Sequence, residues 1–254
     1  MAYALSLRHV SYTYHSLKQE TPAICDVSFD INPGEFVAVV GPSGCGKSTL
    51  LHLIARLLPM DQGEIKINGY PLAISKEKVG YMLQKDQLLP WKTIYQNVIL
   101  GLNIQKIKDP AAYTKVNLLL KDYGLEDFRN AYPNQLSGGM RQRAALIRTL
   151  ALSPNILLLD EPFSALDYQT RLNVSNDIGT IIKQEGKTAL LVTHDLSEAI
   201  SMADRVIVLS KRPGTVKSIV PIELSCQERT PQSSRNSTEF KDYFNQLWRS
   251  INDS

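Results

Sequence analysis

Cysteine is scarce in this 254-residue chain: three residues, at positions 25, 45 and 226, with four scattered histidines. That spacing fits neither a disulfide framework nor a structural zinc motif, and points to a reducing compartment. Aromatic residues are few, at 7%. No apolar run approaches the roughly 18 residues that a membrane span needs. The amino-terminal MAYALSLRHVSYTYH lacks the apolar stretch of a secretory signal. Neither sign of charge dominates: 28 basic against 25 acidic residues leave +3. So small an excess argues against a protein built around a polyanion, and no nucleic-acid partner is expected. What the chain does have is 43% hydrophobic and 21% charged residues, an ordinary folded composition with material for one large domain or two small ones.

Apolar periodicity and turn residues predict the organisation. Strands are expected at 3–12, at Phe36–Val40 after the Pro33-Gly34 turn, and in EIKINGY and KVGYMLQ, with a helix over Leu50–Leu58 stopped by Pro59. From about 86 to 153 the pattern turns helical, with candidates at 93–101, 112–122 and 138–152. Strands return at 155–160, 188–194 and 205–210, with helices at 165–184 and 196–202 between them. Near-continuous apolar strands alternating with helices predict an α/β fold whose parallel sheet is covered on both faces. Residues 226–238 are polar and read as an exposed connector. EFKDYFNQLWRSI after them reads as a short amphipathic helix. The expected domains are a core from 1–85 and 154–222, a helical subdomain over 86–153, and a carboxy-terminal extension over 223–254.

The strongest chemical signal is Gly41-Pro42-Ser43-Gly44-Cys45-Gly46-Lys47-Ser48-Thr49, between a predicted strand and a predicted helix. Glycines let such a loop curl so that backbone N–H groups and the helix N-terminus receive phosphate oxygens. Lys47 is expected to bridge the β and γ phosphates, and Ser48 to hold Mg²⁺. Cys45 lies in the same loop. The loop N–H groups, Lys47 and the helix start are expected to favour a thiolate there, open to thiol reagents and protected by ATP, with a buried, inert thiol as the alternative. ILLLD ends in Asp160 followed by Glu161. The first carboxylate suits Mg²⁺, and the second can take a proton from attacking water. His194 closes LLVTH, and Gln84 ends another strand. Both stand where parallel strands present ligands, His194 to orient phosphate and water, Gln84 to meet Mg²⁺ or water. Ser137 is a good N-cap, and Gly138 and Gly139 leave an open helix start that suits a second anion.

Taken in order, these strings resemble the nucleotide-binding subunits of ABC transporters, over residues 4 to about 222. GPSGCGKST resembles the Walker A loop, LSGGMRQR at 136–143 the signature, and ILLLDEP at 156–162 Walker B with its catalytic glutamate. Ser164-Ala165-Leu166-Asp167 resembles the D-loop, Gln84 the Q-loop residue and His194 the switch histidine. Tyr14, with Tyr12 as competitor, matches the aromatic that stacks on adenine. The resemblance implies the P-loop NTPase core of an ABC ATPase with an inserted helical subdomain. It implies ATP and Mg²⁺, and two copies packed head to tail, so that Ser137–Gly139 of one chain closes over the nucleotide of the other and Asp167 links the sites. It also implies two transmembrane permease subunits, an extracytoplasmic solute-binding protein, and a peripheral place on the cytoplasmic face of the membrane. LLPW at 88–91 and LSKRPG at 209–214 resemble the importers of nitrate, taurine and aliphatic sulfonates. Importers of pyrimidine or thiamin precursors, and ABC ATPases outside transport, are the alternatives.

Overall fold

A long antiparallel hairpin opens the chain in the computed structural model, which describes residues 2–16, 19–226 and 229–252. β1 (Leu5–His15) pairs with β2 (Glu20–Ile31), and a bulge between Leu7 and Val10 is matched by left-handed backbone at His9 and Asp26. Next come β3 (Phe36–Val40), α1 (Lys47–Ile54), β4 (Gln62–Ile67), β5 (Tyr70–Pro71) and β6 (Val79–Met82). Helices follow: α2 (Ile94–Val98), α3 (Leu100–Ile104), α4 (Pro110–Asp122) and, after a 3₁₀ turn at Pro133–Gln135, α5 (Gly138–Leu150). β7 (Ile156–Asp160), α6 (Tyr168–Gln184), β8 (Thr188–Val192), α7 (Leu196–Met202), β9 (Arg205–Leu209) and β10 (Val216–Pro221) complete the alternation. The chain ends in α8 (Pro231–Arg235) and α9 (Phe240–Asn252).

Contacts divide the chain into two units, one running up to Glu77 and resuming at Gly179, the other Lys78–Ile178. In the first unit, β2-β1-β4-β5 form an antiparallel sheet. β3 lies between β8 and β9, parallel to both, and β10 adds an antiparallel edge to β9. The sheet is therefore mixed, where alternation alone predicts parallel pairing. β10 was not expected: its buried and half-exposed positions, in VKSIVP, give too weak an apolar signal. β3 and β8 are buried along their whole length, which explains their unbroken apolar sequences. α7 packs on β3 and β9, and α8 and α9 pack on α7.

The segment expected to be an exposed connector is a structural joint. Of its residues, 227 and 228 lie outside the described ones. Thr230 caps α8, Pro231 starts it, and Pro231 and Ser234 are both buried. Arg229 donates to Asp204 Oδ1 at 3.2 Å and to the Ala203 carbonyl. Short, capped helices of polar sequence carry no apolar stripe, so periodicity passes over them. α9 forms as its amphipathic pattern predicts, with Leu247 fully buried.

In the second unit β6 and β7 pair in parallel, Val79 opposite Ile156 and Met82 opposite Leu159. α5 touches α2, α3, α4 and β6. The single helix expected over 93–101 is two short ones that meet at Ile99, the first opened by a Thr93–Gln96 capping box. No helix among the described residues is long and apolar enough to cross a membrane.

Candidate functional site

The phosphate-loop residues occupy the turn from β3 into α1. Gly44 and Gly46 both have positive φ, 76° and 103°, which curls the chain back over the helix start. Gly46 has a second constraint: a Cβ there would lie 2.5 Å from Ile24 Cγ2 and 2.7 Å from the Ala23 carbonyl oxygen on β2. No other residue fits. Inside the curl the Lys47 ammonium, almost buried, donates to the carbonyls of Gly41 at 2.9 Å and Pro42 at 3.0 Å. Ser43, Gly44 and Ser48 face solvent, and Gly41 and Thr49 are buried. A curled backbone, a helix N-terminus and one enclosed cation make a donor set suited to a polyphosphate.

Cys45 is settled by burial. It is 1% exposed, and desolvation pushes its thiol up, outweighing the opposing pull of Lys47 and of the loop's N–H groups. The reading of Cys45 as a reactive thiolate is thereby overturned. Tyr14 is 41% exposed, and its hydroxyl lies 3.1 Å from Thr49 Oγ1 in α1. Tyr12 meets it edge-on, with ring centroids 4.9 Å apart. Burial raises the Tyr12 phenol, helped by Tyr14 and Asp61. His194 is exposed just beyond β8, between anchored neighbours. Thr193 donates to the buried Glu198 at 2.7 Å, and Asp195 caps α7 by accepting from Ser197 and Glu198.

In the second unit, β7 delivers its two carboxylates into different surroundings. Asp160 is 8% exposed and accepts the Tyr81 hydroxyl at 2.9 Å. Burial first, and Asp160 second, drive the Tyr81 phenol strongly upward, so it stays a donor at any physiological pH. Sequence reasoning missed Tyr81, although it stands three residues before Gln84. Glu161 adopts left-handed backbone at φ 43°, a conformation that costs a non-glycine residue roughly 1–3 kcal/mol. Gln84 Nε2 approaches Glu161 Oε2 at 3.4 Å and Ser164 Oγ at 3.2 Å, and Ser164 Oγ donates to the Glu161 carbonyl at 3.0 Å. Gln84 and Glu161 are thus brought together, with the amide nitrogen toward the acid.

Ser137 caps α5 by accepting from Met140 N at 3.3 Å. Gly139 is buried, and a Cβ there would stand 2.8 Å from Val174 Cγ2 and 3.1 Å from Thr170 Cγ2 on α6. Packing alone requires glycine at that position. Gly138 precedes it, with Leu166 its nearest neighbour across from the helix. Asp167, fully exposed, accepts from Thr170 N at 3.1 Å at the start of α6, and that bonding holds its carboxyl below the usual range.

Comparison with known proteins agrees with this geometry. The family described as "ABC transporter" matches residues 24–164. YtlC of Bacillus subtilis (strain 168), an uncharacterized ABC transporter ATP-binding protein, is 45% identical over 248 residues, covering 98% of this chain and 95% of that one. SsuB of Bacillus licheniformis, an aliphatic sulfonates import ATP-binding protein, is 38% identical over 87% of this chain and 86% of its own. The solved dimeric structure of MJ0796, a bacterial ABC transporter cassette, superposes with a TM-score of 0.74 at 33% identity, over 86% of this chain and 99% of that one. An α/β P-loop fold carrying the Gly41–Thr49 loop, and relatives of this identity along nearly the full chain, lead to one assignment: the chain belongs to the ABC transporter family, as one of its ATP-binding, ATP-hydrolysing subunits.

Proposed function

We propose that the chain powers import of a small solute, an aliphatic sulfonate, taurine or nitrate, as one of two identical ATPases. They act beneath two permease subunits served by an extracytoplasmic binding protein, at the cytoplasmic face of the membrane. The cargo reading is supported by the likeness to proteins described as aliphatic sulfonates import subunits, such as SsuB of Bacillus subtilis at 37% identity. Residues 86–153 are proposed to receive the permeases, and 1–85 with 154–222 to form the nucleotide core.

The observation that carries the ATPase mechanism is the unequal pair Asp160–Glu161. Asp160 is enclosed and already accepts a hydrogen bond, as suits a fixed ligand. Glu161 is half-exposed on strained backbone with Gln84 beside it, as suits a base that must reach water. Ser48, Asp160 and Gln84 are the residues to hold Mg²⁺, which neutralises charge on phosphate oxygens when bound. Lys47 leaves the loop carbonyls to meet the β and γ phosphates, and Gly41 to Thr49 supply backbone donors around them. Tyr14 stacks on adenine. Glu161 takes the proton from the attacking water, and His194 orients that water and the γ phosphate. Ser137, Gly138 and Gly139 close over the partner copy's nucleotide, and Asp167 lies at the junction of the two copies.

The test is Glu161→Gln, which keeps size but removes the base. ATP binding should persist while turnover falls about 100-fold or more. The protein should then elute as an ATP-dependent dimer in size-exclusion chromatography. Near-normal hydrolysis would remove Glu161 from this role. In the complex reconstituted with its membrane partners, sulfonate-loaded binding protein should stimulate ATPase activity and a thiamin precursor should not.

A further inference from the structure

Two arginines of α5 tie the strand exit bearing Gln84 to the helix start bearing Ser137. Arg141, one turn into α5, donates from Nε to Asp86 Oδ2 at 3.0 Å and from Nη1 to the carbonyl of Leu136 at 2.7 Å. Leu136 immediately precedes Ser137, and Asp86 is two residues past Gln84. Arg148, two turns further along, donates to the carbonyls of Asp86 and Gln87, both at 2.7 Å. Burial lowers the Arg148 pKa, with Asp86 opposing. Asp86 Oδ1 also accepts from Leu88 N at 3.1 Å, across the left-handed Gln87. Further on, the fully buried Asn97 accepts from Leu89 N and donates to the carbonyls of Leu89, Lys92 and Thr93. The Asp86 carboxylate and the carbonyls of Asp86, Gln87, Leu89, Lys92 and Thr93 are thereby bound to α5 and α2. The segment has little freedom to move without α5.

We infer that Arg141 is a positioning residue. Through Asp86 it makes the Gln84 segment and the Ser137–Gly139 helix start one rigid piece, so that a displacement at Gln84 re-aims the surface offered to the partner copy. The inference rests on the roles proposed above for Gln84 and Ser137. Arginine is required because its planar group sends two hydrogen bonds in diverging directions, to a side chain 55 positions away and to its own helix entry. A lysine carries all its donors on one nitrogen and cannot reach both acceptors from the two separate positions that Nε and Nη1 occupy. An arginine serving solely to stabilise α5 would have no need of Asp86.

The test uses the full chain in the Glu161→Gln background, with Arg141→Met, Arg141→Lys, Asp86→Asn and the Arg141→Met/Asp86→Asn double variant. Without nucleotide, hydrogen–deuterium exchange over residues 136–141 should speed up in each single variant, and no further in the double variant. With ATP, the concentration needed for dimerisation should rise about tenfold, as expected for loss of a charge-assisted bond. The affinity of the monomer for ATP should stay within twofold. Arg141→Lys should fall with Arg141→Met. Unchanged exchange in Asp86→Asn, additive effects in the double variant, or equal losses in monomer binding and dimerisation would each overturn the inference. Failure of the Glu161→Gln parent to dimerise with ATP would count against the functional reading instead, while the exchange measurement would still decide the coupling.

Discussion

At the scale of single residues, burial and local field compete, and Cys45 shows which wins here. Lys47 and the loop N–H groups pull its pKa down, but desolvation of a side chain 1% exposed pushes harder the other way. The thiol stays protonated near neutrality and out of reach of reagents. Cys25, in contrast, is exposed on β2. A maleimide at neutral pH should therefore modify Cys25 well before Cys45, whether or not ATP is present, as followed by mass spectrometry of the digested protein. Early, ATP-sensitive labelling of Cys45 would contradict this. Position along the chain separates Asp160 from Glu161. Adjacent in sequence and identical in charge, they differ because strand β7 ends between them and the backbone turns left-handed at the second.

At the scale of elements, the glycine-rich start of α5 has two separable reasons. Ser137 and Gly138 present the open helix start. Gly139 is dictated by α6, which comes so close that a methyl group would press on Val174 and Thr170. Gly139→Ala would gain about 1 kcal/mol in helix propensity. It would lose about 1–3 kcal/mol by overpacking against β-branched side chains that cannot swing aside. The net expectation is destabilisation in urea unfolding, larger than for Gly138→Ala, whose nearest neighbour is a flexible leucine methyl at 3.0 Å. Equal midpoints for the two variants would show that α6 has room to yield. Helix α8 makes the complementary point. Its cap and its buried Pro231 and Ser234 come from docking on α7 and α6, not from any stripe of its own.

At the scale of the whole molecule, the carboxy-terminal extension is part of the first unit's core. Asp204, at the start of β9, accepts from Phe36 N at 2.9 Å and from Arg229 at 3.2 Å, joining sheet and extension. Tyr243 Oη accepts from Glu223 N at 3.1 Å, and Leu247 is wholly buried. Leu247→Ala should cost about 2–5 kcal/mol, the usual range for emptying a buried leucine site. Denaturant titration would register that as a lower midpoint at unchanged slope. A loss below about 0.5 kcal/mol would mean that α9 is a dispensable appendage.

The sequence by itself determined the phosphate loop, the carboxylates after ILLL, the second glycine-rich helix start and the rhythm of buried strands. These depend on residue type at fixed local spacing, which neighbours along the chain enforce: glycines that must curl, apolar runs that must be covered, a serine that must cap. Tertiary structure decided what depends on residues far apart in sequence. Burial raised the Cys45 thiol, although its neighbours favour a thiolate. The approach of α6 favoured glycine at 139. The hydroxyl of Tyr81 became the partner of Asp160 only once β6 lay beside β7. Arg141 and Asp86 met across 55 positions, a distance over which no periodicity carries information. The polar stretch after 228 became a joint because Asp204 and α7 were there to receive it. For Gly139 the deciding quantity is steric room; in the other cases it is the free energy of removing a group from water or of satisfying it once removed. That quantity belongs to the packed arrangement rather than to any residue within it.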